Sequence, residues 1–360
     1  MSHDTTAATG TVHLWVRGEP RANEARVGVT PEGVATLIGR GMRVTVEDSP
    51  ARAIGIEGYR RAGAEIADFG AWTDAPQNAV IFGLKELPDD DTPLPHRHIM
   101  FGHAYKGQAD GARLLRRFAA GGGTLYDLEY LVDADGRRIA AFGYWAGYAG
   151  AAVAAMAWAA QADGGICPAV STYADAEALT RDLTARLDGT GSQRPGALII
   201  GAKGRVGTGA ADLCAAVDIP TTLWDQEETR HGSPFPEVLE HALFLNCILA
   251  QPGAPIFVPA DTGSRVRALR AIGDIACDPT SDFSPIKVYD RTTTWDAPAL
   301  RVHRSPPLDV VAIDNLPAML PVESSEDYAA QLLPALLDLD RIDRGVWGRA
   351  EETFRAHLPD

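Results

Sequence analysis

The sequence is poor in cysteine and in positive charge, and each shortage excludes classes of protein. Its 360 residues include four cysteines, which lie far apart and form no C-x-x-C pair. This excludes a zinc ribbon, a thioredoxin-like motif and a disulfide scaffold. Lysine and arginine total 33 against 48 acidic residues, a net charge of −15. Because an acidic surface repels phosphate backbones, we expect no nucleic-acid partner.

The sequence also lacks a secretory signal and a strongly apolar membrane segment. It begins MSHD, with neither the basic nor the apolar stretch that directs secretion, so we expect a cytoplasmic protein. Residues 139–162 carry no charge and are long enough to span a bilayer, but they contain no leucine. Alanine and glycine dominate them and are only weakly apolar. With Gly143, Gly147 and Gly150 along one helical face, we predict a helix buried between two domains and no membrane partner.

What the chain does contain is an alternation of strand-like and helix-like segments. Its length corresponds to about two domains. Apolar runs such as Ala79–Phe82 alternate with helical patterns such as Asp110–Ala120. This predicts an α/β fold with two Rossmann-like domains, whose parallel sheets are flanked by helices and which enclose a cleft. We assign residues 1–135 and about 325–360 to a substrate and catalytic domain, and residues 136–324 to an NAD-binding domain.

A glycine-rich loop, GAKGRVGTG from Gly201, follows the predicted strand Ala197–Ile200. In this G-x-x-G-x-x-G spacing, Gly201 allows a tight turn from strand to helix, and Gly204 lets a pyrophosphate approach the backbone. Gly207 lets the helix pack closely on the strand. The N-terminus of the following helix favours a phosphate. Asp225 ends the next strand, about twenty residues on, where a carboxylate binds ribose hydroxyls and repels a 2′-phosphate. The pattern predicts an NAD site; a purely structural turn is the alternative.

Ionisable side chains follow apolar runs in the first domain. Lys85 and His103 each come soon after a strand-like segment, and ligands of parallel sheets bind at the carboxyl ends of strands. A lysine there is suited to act as a base, with a surface salt bridge as the alternative. Arg26, in a charged loop, is suited to bind a carboxylate. His96 and His98 match no zinc spacing, so we interpret them as exposed loop residues and predict no metal site.

These residues lie in motifs that resemble one group of enzymes. The stretch E-x-R-x-x-x-T-P from Glu24 resembles the opening of the alanine dehydrogenase, transhydrogenase and saccharopine dehydrogenase group. GLKELP from Gly83, FGHAYK from Phe101, GTLYDLE from Gly123 and GRRIAAFG from Gly136 are similar to the NAD-dependent, lysine-forming saccharopine dehydrogenases of fungi. The glycine-rich loop and a later IDNLP stretch continue the similarity over nearly the whole chain.

The resemblance implies NAD-dependent oxidation of saccharopine to L-lysine and 2-oxoglutarate. By this similarity, Lys85 corresponds to the base for the secondary amine, and His103 to the acid–base group of imine hydrolysis. The residues implied at the substrate are Arg26, Gln108, Arg138 and Phe142, with Glu86 and Glu129 as supporting carboxylates. The residues implied at NAD are Gly201, Gly204, Arg205, Gly207, Asp225, Thr229, Arg137 and Asp314.

The sequence also departs from the fungal pattern. Fungal enzymes carry a cysteine in the glycine-rich loop that can pair with a second one; here Val206 stands in the loop and Cys247 in the partner's place, so that bridge cannot form. The implied partners are small molecules, saccharopine or lysine plus 2-oxoglutarate. The fungal likeness favours a monomer, while hexamers in the wider group leave an oligomer open. A related amino-acid or opine dehydrogenase of alanine dehydrogenase type, and a non-enzymatic nucleotide-binding module, stay open as alternatives.

Overall fold

The computed structural model describes residues 11–21, 23–106 and 109–359. The chain divides into two compact units. Unit 1 comprises the residues up to Ala141 together with those from Ser324 onward, and unit 2 comprises Phe142–Glu323. The chain therefore leaves unit 1 once and returns to it near its end.

Strands and helices alternate along both units, as the sequence predicts. The strands are β1 (His13–Val16), β2 (Arg43–Glu47), β3 (Glu65–Ala67), β4 (Val80–Phe82), β5 (Arg97–Met100), β6 (Thr124–Asp127), β7 (Ala197–Ile200), β8 (Thr221–Trp224), β9 (Leu243–Asn246), β10 (Ala271–Asp274), β11 (Leu300–Arg304) and β12 (Pro307–Val311). The α-helices are α1 (Pro31–Gly39), α2 (Ile56–Arg61), α3 (Ala109–Gly121), α4 (Gly143–Ala160), α5 (Ala176–Gly189), α6 (Arg205–Ala216), α7 (Gln226–Thr229), α8 (Glu237–Glu240), α9 (Pro321–Leu336) and α10 (Gly345–His357). Short 3-10 helices occupy Ala71–Asp74, Gln161–Asp163, Thr262–Ser264, Leu316–Met319 and Leu339–Arg341.

Unit 1 is built on a parallel sheet with the strand order β3-β2-β1-β4-β5-β6. At its centre Leu14 is in register with both Val44 and Val80. The C-terminal helix α10 packs against β6, and its Phe354 meets Phe118 of α3 edge-on at 5.6 Å. The strand order reverses between β1 and β4, so the loops after these strands diverge at the carboxyl edge. In such sheets that crevice is where ligands bind.

Unit 2 has the strand order β11-β12-β10-β9-β7-β8 and reverses between β7 and β9. Every pairing is parallel except that of β11 with β12. The antiparallel edge was not predicted. Its cause is the two-residue link between Arg304 and Pro307, because a parallel pair needs a long crossover. Two mostly parallel sheets flanked by helices confirm the predicted α/β class with two Rossmann-like domains.

The uncharged segment forms α4, which lies in the core of unit 2; its place between two domains stays a prediction. Its alanines from Ala149 to Ala157 are at most 1% exposed, and it packs on α6 and β10. A Cβ on Gly147 would lie 1.8 Å from the carbonyl oxygen of Val206, so the close crossing of α4 and α6 requires glycine there. Within the described residues, no helix combines the length and the apolar character needed to cross a membrane.

The interpretation of His96 and His98 as exposed loop residues is wrong. They are 4% and 1% exposed. His96 Nε2 lies 3.0 Å from the carbonyl oxygen of Ala75, and the His98 ring meets Trp72 and Phe118 edge-on, at 5.4 Å in each case. Burial holds the pKa of His98 well below its ordinary value. β5 begins at Arg97, two residues before the apolar run that starts at Ile99, and this carries His98 into the core.

Candidate functional site

Lys85 lies at the carboxyl edge of the unit 1 sheet, just beyond β4. Its backbone N–H donates to Glu19 Oε2 at 2.9 Å, and that of Leu84 donates to Glu19 Oε1 at 2.6 Å. Arg17 donates to the Lys85 carbonyl and pairs with Glu19 at 3.3 Å, with side chains 1% and 8% exposed. A buried ion pair from the loop after β1 therefore fixes the backbone from which Lys85 projects.

His103 lies beyond the end of β5, opposite a carboxylate that follows β6. Its Nδ1 lies 3.8 Å from Glu129 Oε2, an ion-pair distance that is too long for a hydrogen bond. Lys106 Nζ donates to Glu129 Oε1 at 2.8 Å. The φ of His103 is +47°, in the left-handed region that non-glycine residues seldom adopt. Such backbone strain clusters at active sites.

The charges of this group shift one another's pKa values. The Glu129 carboxylate raises the pKa of His103, while burial and the charge of Lys85 oppose the rise. His103 and then Lys106 lower the pKa of Glu129 to about 2. Since the charge of Lys85 acts on His103, the two side chains share one electrostatic environment. The structure thus places Glu129 beside His103, and both lie at the sheet edge that also carries Lys85.

A further carboxylate, Asp127, lies behind this group and was not predicted. Its side chain is 0% exposed. One oxygen accepts the backbone N–H of Glu129 at 2.9 Å, and the other has no hydrogen-bond partner among the described residues. Burial raises the pKa of Asp127 to about 6. The available signal was its place as the first charged residue at the end of β6, on the edge that also carries Lys85 and His103.

Arg26, the predicted carboxylate anchor, is buried and already paired with Glu24. Its Nε and Nη2 lie 2.8 and 2.6 Å from the two Glu24 oxygens. Burial alone would raise the pKa of Glu24, but the hydrogen bonds and charge of Arg26, with the charge of Lys85, hold it below its usual range. Burial raises the pKa of Tyr328, and the charges of Arg138 and Arg26 both oppose that rise. Both predicted arginines therefore act on the same part of unit 1.

The other residues predicted for unit 1 and its border are Glu86, Arg137, Phe142 and Gln108. Glu86 is exposed and pairs with Arg21 at 3.5 Å. Arg137 is exposed in a turn. Phe142 belongs to unit 2, where it precedes α4 as its N-cap. Gln108 lies outside the described residues. The roles predicted for these four residues stay predictions.

The glycine-rich loop forms the turn from β7 into α6. Gly201 has φ +80°, and a Cβ on Gly207 would lie 2.1 Å from the Gly201 carbonyl oxygen. Gly204 is the N-cap of the twelve-residue α6, whose start no described side chain caps, and Arg205 is its first residue. Backbone N–H groups at an open helix N-terminus are a ready site for phosphate. The turn therefore fits a pyrophosphate.

Asp225 follows β8 and contacts this loop. One carboxylate oxygen accepts the backbone N–H of Lys203 at 3.0 Å, and the other accepts that of Gln226 at 2.9 Å. Glu228 in turn accepts the backbone N–H of Asp225 at 2.7 Å. Thr229 Oγ1 donates to the Asp225 carbonyl at 3.0 Å. The predicted cofactor residues that follow β7 and β8 are therefore neighbours in space.

The carboxyl ends of β9 and β10 carry a polar cluster that sequence reasoning missed. Asp274 is 2% exposed and accepts hydrogen bonds from Asn246 at 2.9 Å and from the Tyr289 hydroxyl at 2.5 Å. Burial raises the pKa of Asp274. Asp314, the remaining predicted cofactor residue, is exposed beyond β12. Burial raises the pKa of Cys277 to about 12, and the negative charge of Asp314 contributes to this rise. Asp314 thus lies on the sheet edge that carries the glycine-rich loop.

Known proteins resemble this chain in both sequence and fold. Residues 15–149 match the family described as Alanine dehydrogenase/PNT, N-terminal domain. The chain is 44% identical to the saccharopine dehydrogenase [NAD(+), L-lysine-forming] of Candida glabrata, over 96% of this chain and 97% of that protein. It is 41% identical to the enzyme of the same name from Schizosaccharomyces pombe, over 95% and 97%. A solved L-alanine dehydrogenase matches with a TM-score of 0.66 at 18% identity, over 96% of this chain and 94% of that chain, a likeness of fold.

Proposed function

Because this chain belongs to the NAD⁺-dependent, L-lysine-forming saccharopine dehydrogenase family, we propose that it oxidises saccharopine with NAD⁺ and water to L-lysine, 2-oxoglutarate and NADH. The observation that carries the proposal is the 3.8 Å pair of His103 with Glu129 at the edge of the unit 1 sheet that also carries Lys85, whose charge acts on His103. Amine oxidation followed by imine hydrolysis needs more than one proton transfer. Two ionisable groups of different basicity at one sheet edge suit these successive proton transfers.

In this proposal unit 1 supplies the catalytic groups and unit 2 the nucleotide site. Saccharopine carries several carboxylates, and Arg26 and Arg138 are the groups suited to bind them, joined by Gln108 and Phe142. Glu24 holds the Arg26 guanidinium in a fixed orientation through two hydrogen bonds. A planar guanidinium held in this way presents a defined edge to a carboxylate.

The residues of unit 2 fit a dinucleotide. The turn at Gly201, Gly204 and Gly207 leaves backbone N–H groups at the start of α6 for a pyrophosphate. Asp225 follows the neighbouring strand, where its charge favours ribose hydroxyls over a 2′-phosphate. Arg205, Thr229, Arg137 and Asp314 complete the proposed contacts. NAD⁺ bound there would accept the hydride of the substrate carbon.

The proton transfers fall to the residues of unit 1. Lys85 accepts the proton of the secondary amine as the carbon–hydrogen bond is oxidised, which leaves an imine. His103 assists the addition of water to that imine and the collapse of the carbinolamine into amine and ketone. The Glu129 carboxylate raises the pKa of His103, which keeps the imidazole able to hold a proton between the two steps. Glu86 is the second supporting carboxylate.

The test is NADH formation by the purified protein with NAD⁺ and saccharopine, with L-alanine as the control substrate. We expect NADH with saccharopine and none with alanine. In the reverse direction, lysine plus 2-oxoglutarate should consume NADH. Oxidation of alanine but not saccharopine would replace the proposal with an alanine dehydrogenase activity. NAD⁺ binding without turnover of either substrate would leave a nucleotide-binding module.

A further inference from the structure

We propose that a cavity beside His103 binds the lysine half of saccharopine. This assignment rests on the proposed function and adds a subsite to it. The cavity, of about 370 Å³, lies within unit 1 between the segment after β4 and the first turns of α3. Gly102 and His103 border it. Its size is that of a site for a small ligand, and it adjoins a group that the proposal places at the reacting atoms.

The floor of this cavity is apolar. Leu87 and Met100 are 8% and 1% exposed, and Leu114 of α3 and Pro88 continue the same surface. An apolar floor favours the binding of methylene groups, because their apolar surface is removed from water when they pack against the floor. The lysine half of saccharopine carries a longer run of methylenes than the glutamate half, so it matches this floor better.

The charges around the cavity are mainly negative. The lining charges are four carboxylates and two guanidinium groups, those of Glu86, Asp89, Asp90, Asp110, Arg113 and Arg117. Arg113 pairs with Asp89, and Arg117 pairs with Asp90. Asp110 enters neither pair. An excess of carboxylates repels the two carboxylates of the glutamate half more than the zwitterionic end of the lysine half, whose single carboxylate is offset by the α-ammonium that Asp110 attracts.

The packing of α3 holds Asp110 next to His103. A Cβ on Gly111 would lie 2.7 Å from the Ala104 Cα and 3.0 Å from the His103 carbonyl oxygen. The first turn of α3 therefore rests on the His103–Ala104 backbone. Asp110 immediately precedes Gly111 and lines the cavity. This places a carboxylate for the α-ammonium and a floor for the methylenes in one space that opens at the reacting histidine.

The test compares L-lysine with 6-aminohexanoate, which lacks the α-ammonium, as the amine substrate in the reverse reaction. In Asp110→Asn we expect the KM for lysine to rise about tenfold, since a bond to a charged partner is lost. The KM values for 2-oxoglutarate, NADH and 6-aminohexanoate should stay near those of the wild type. The preference for lysine over 6-aminohexanoate should fall by the same factor.

Two further variants separate this role from a structural one. Glu57→Gln is the matched control, because Glu57 and Asp110 are both acidic residues in the first turn of a helix of unit 1; its lysine KM should not change. Leu114→Trp narrows the cavity without changing charge, and it should raise the KM for lysine and not that for 2-oxoglutarate.

The outcomes are distinct from those for the proposed function. A wild-type protein that forms no NADH from saccharopine overturns the proposed function, and this assignment with it. A wild-type enzyme that is active on saccharopine, while Asp110→Asn keeps the wild-type lysine KM, overturns the assignment alone. Equal rises in KM for lysine and 6-aminohexanoate in Asp110→Asn also overturn it, because the carboxylate would then not recognise the α-ammonium.

Discussion

Replacing Glu129 with glutamine tests the electrostatic coupling around His103. The substitution keeps the size of the side chain and one accepting oxygen, replaces the other oxygen with a donating NH2 group, and removes the charge. The carboxylate of Glu129 makes the largest contribution to the raised pKa of His103. Without that carboxylate, burial and Lys85 are the influences that remain largest, and both lower the pKa of His103. We therefore expect the imidazole to lose its proton at a lower pH in Glu129→Gln.

The size of the shift follows from the 3.8 Å between His103 Nδ1 and Glu129 Oε2. Two unit charges at that distance interact by about 1 kcal/mol in bulk water and about 4 kcal/mol at an effective dielectric constant near 20. The side chains of His103 and Glu129 are 47% and 26% exposed, so the water limit applies better. Because one pKa unit corresponds to about 1.4 kcal/mol, the pKa of His103 should fall by somewhat less than about one unit.

The assay is the pH dependence of kcat/KM for saccharopine, which reports the ionising groups of the free enzyme and substrate. The limb that belongs to His103 should move to lower pH in Glu129→Gln and stay in place in Glu129→Asp, which retains the charge. An NMR titration of the imidazole in the free enzyme gives the same shift without turnover. If both measurements leave Glu129→Gln at the wild-type values, the coupling does not act as argued.

Three further substitutions test the catalytic base, the cofactor site and the core. Lys85→Met should lower kcat with saccharopine about a hundredfold or more, since general bases contribute on that scale, while the Kd for NAD⁺ in a fluorescence titration stays near the wild-type value; an unchanged kcat would remove Lys85 from the proton transfer. Asp225→Asn should weaken NAD⁺ binding about tenfold and reduce the discrimination against NADP⁺; equal losses for NAD⁺ and NADP⁺ would contradict a role at the ribose. His98 becomes protonated in the unfolded chain below its ordinary pKa of 6.5, whereas in the folded chain it stays neutral. As the pH is lowered below 6.5, the free energy of unfolding should therefore decrease by up to about 1.4 kcal/mol per pH unit. His98→Phe should flatten that slope in denaturant titrations at several pH values, and an equally steep slope in the variant would contradict the argument.

Local signals predicted the parts of the fold that depend on neighbouring residues. The run Ala197–Ile200 and the glycines after it indicate a strand, a turn and a helix, and the structure has all three. The antiparallel β11 was not predicted, because its direction depends on a two-residue link and on its pairing with β12. His98 was misplaced for a related reason, since its burial depends on Trp72 and Phe118, which are distant in the sequence.

The candidate site divides in the same way. Lys85 and His103 were found because a parallel sheet places the residues after its strands on one edge. Arg17 and Glu19 were not assigned a role, because their importance lies in bonds to Leu84 and Lys85, far along the chain. Asp127 was missed because an aspartate at a strand end does not reveal in the sequence that it will be completely buried.

The loop after β1 matters as much to this site as the strands that carry its reacting groups. An unpaired guanidinium in the core costs several kcal/mol, so the buried Arg17 and Arg26 each need a carboxylate. Glu19 and Glu24, from the same loop, meet that need at 3.3 and 2.6 Å. Glu19 then uses its oxygens again to hold the backbone at Lys85. Loss of either carboxylate would therefore disturb more than one ion pair: without Glu19 the base would lose its fixed backbone, and without Glu24 the proposed anchor would lose its orientation.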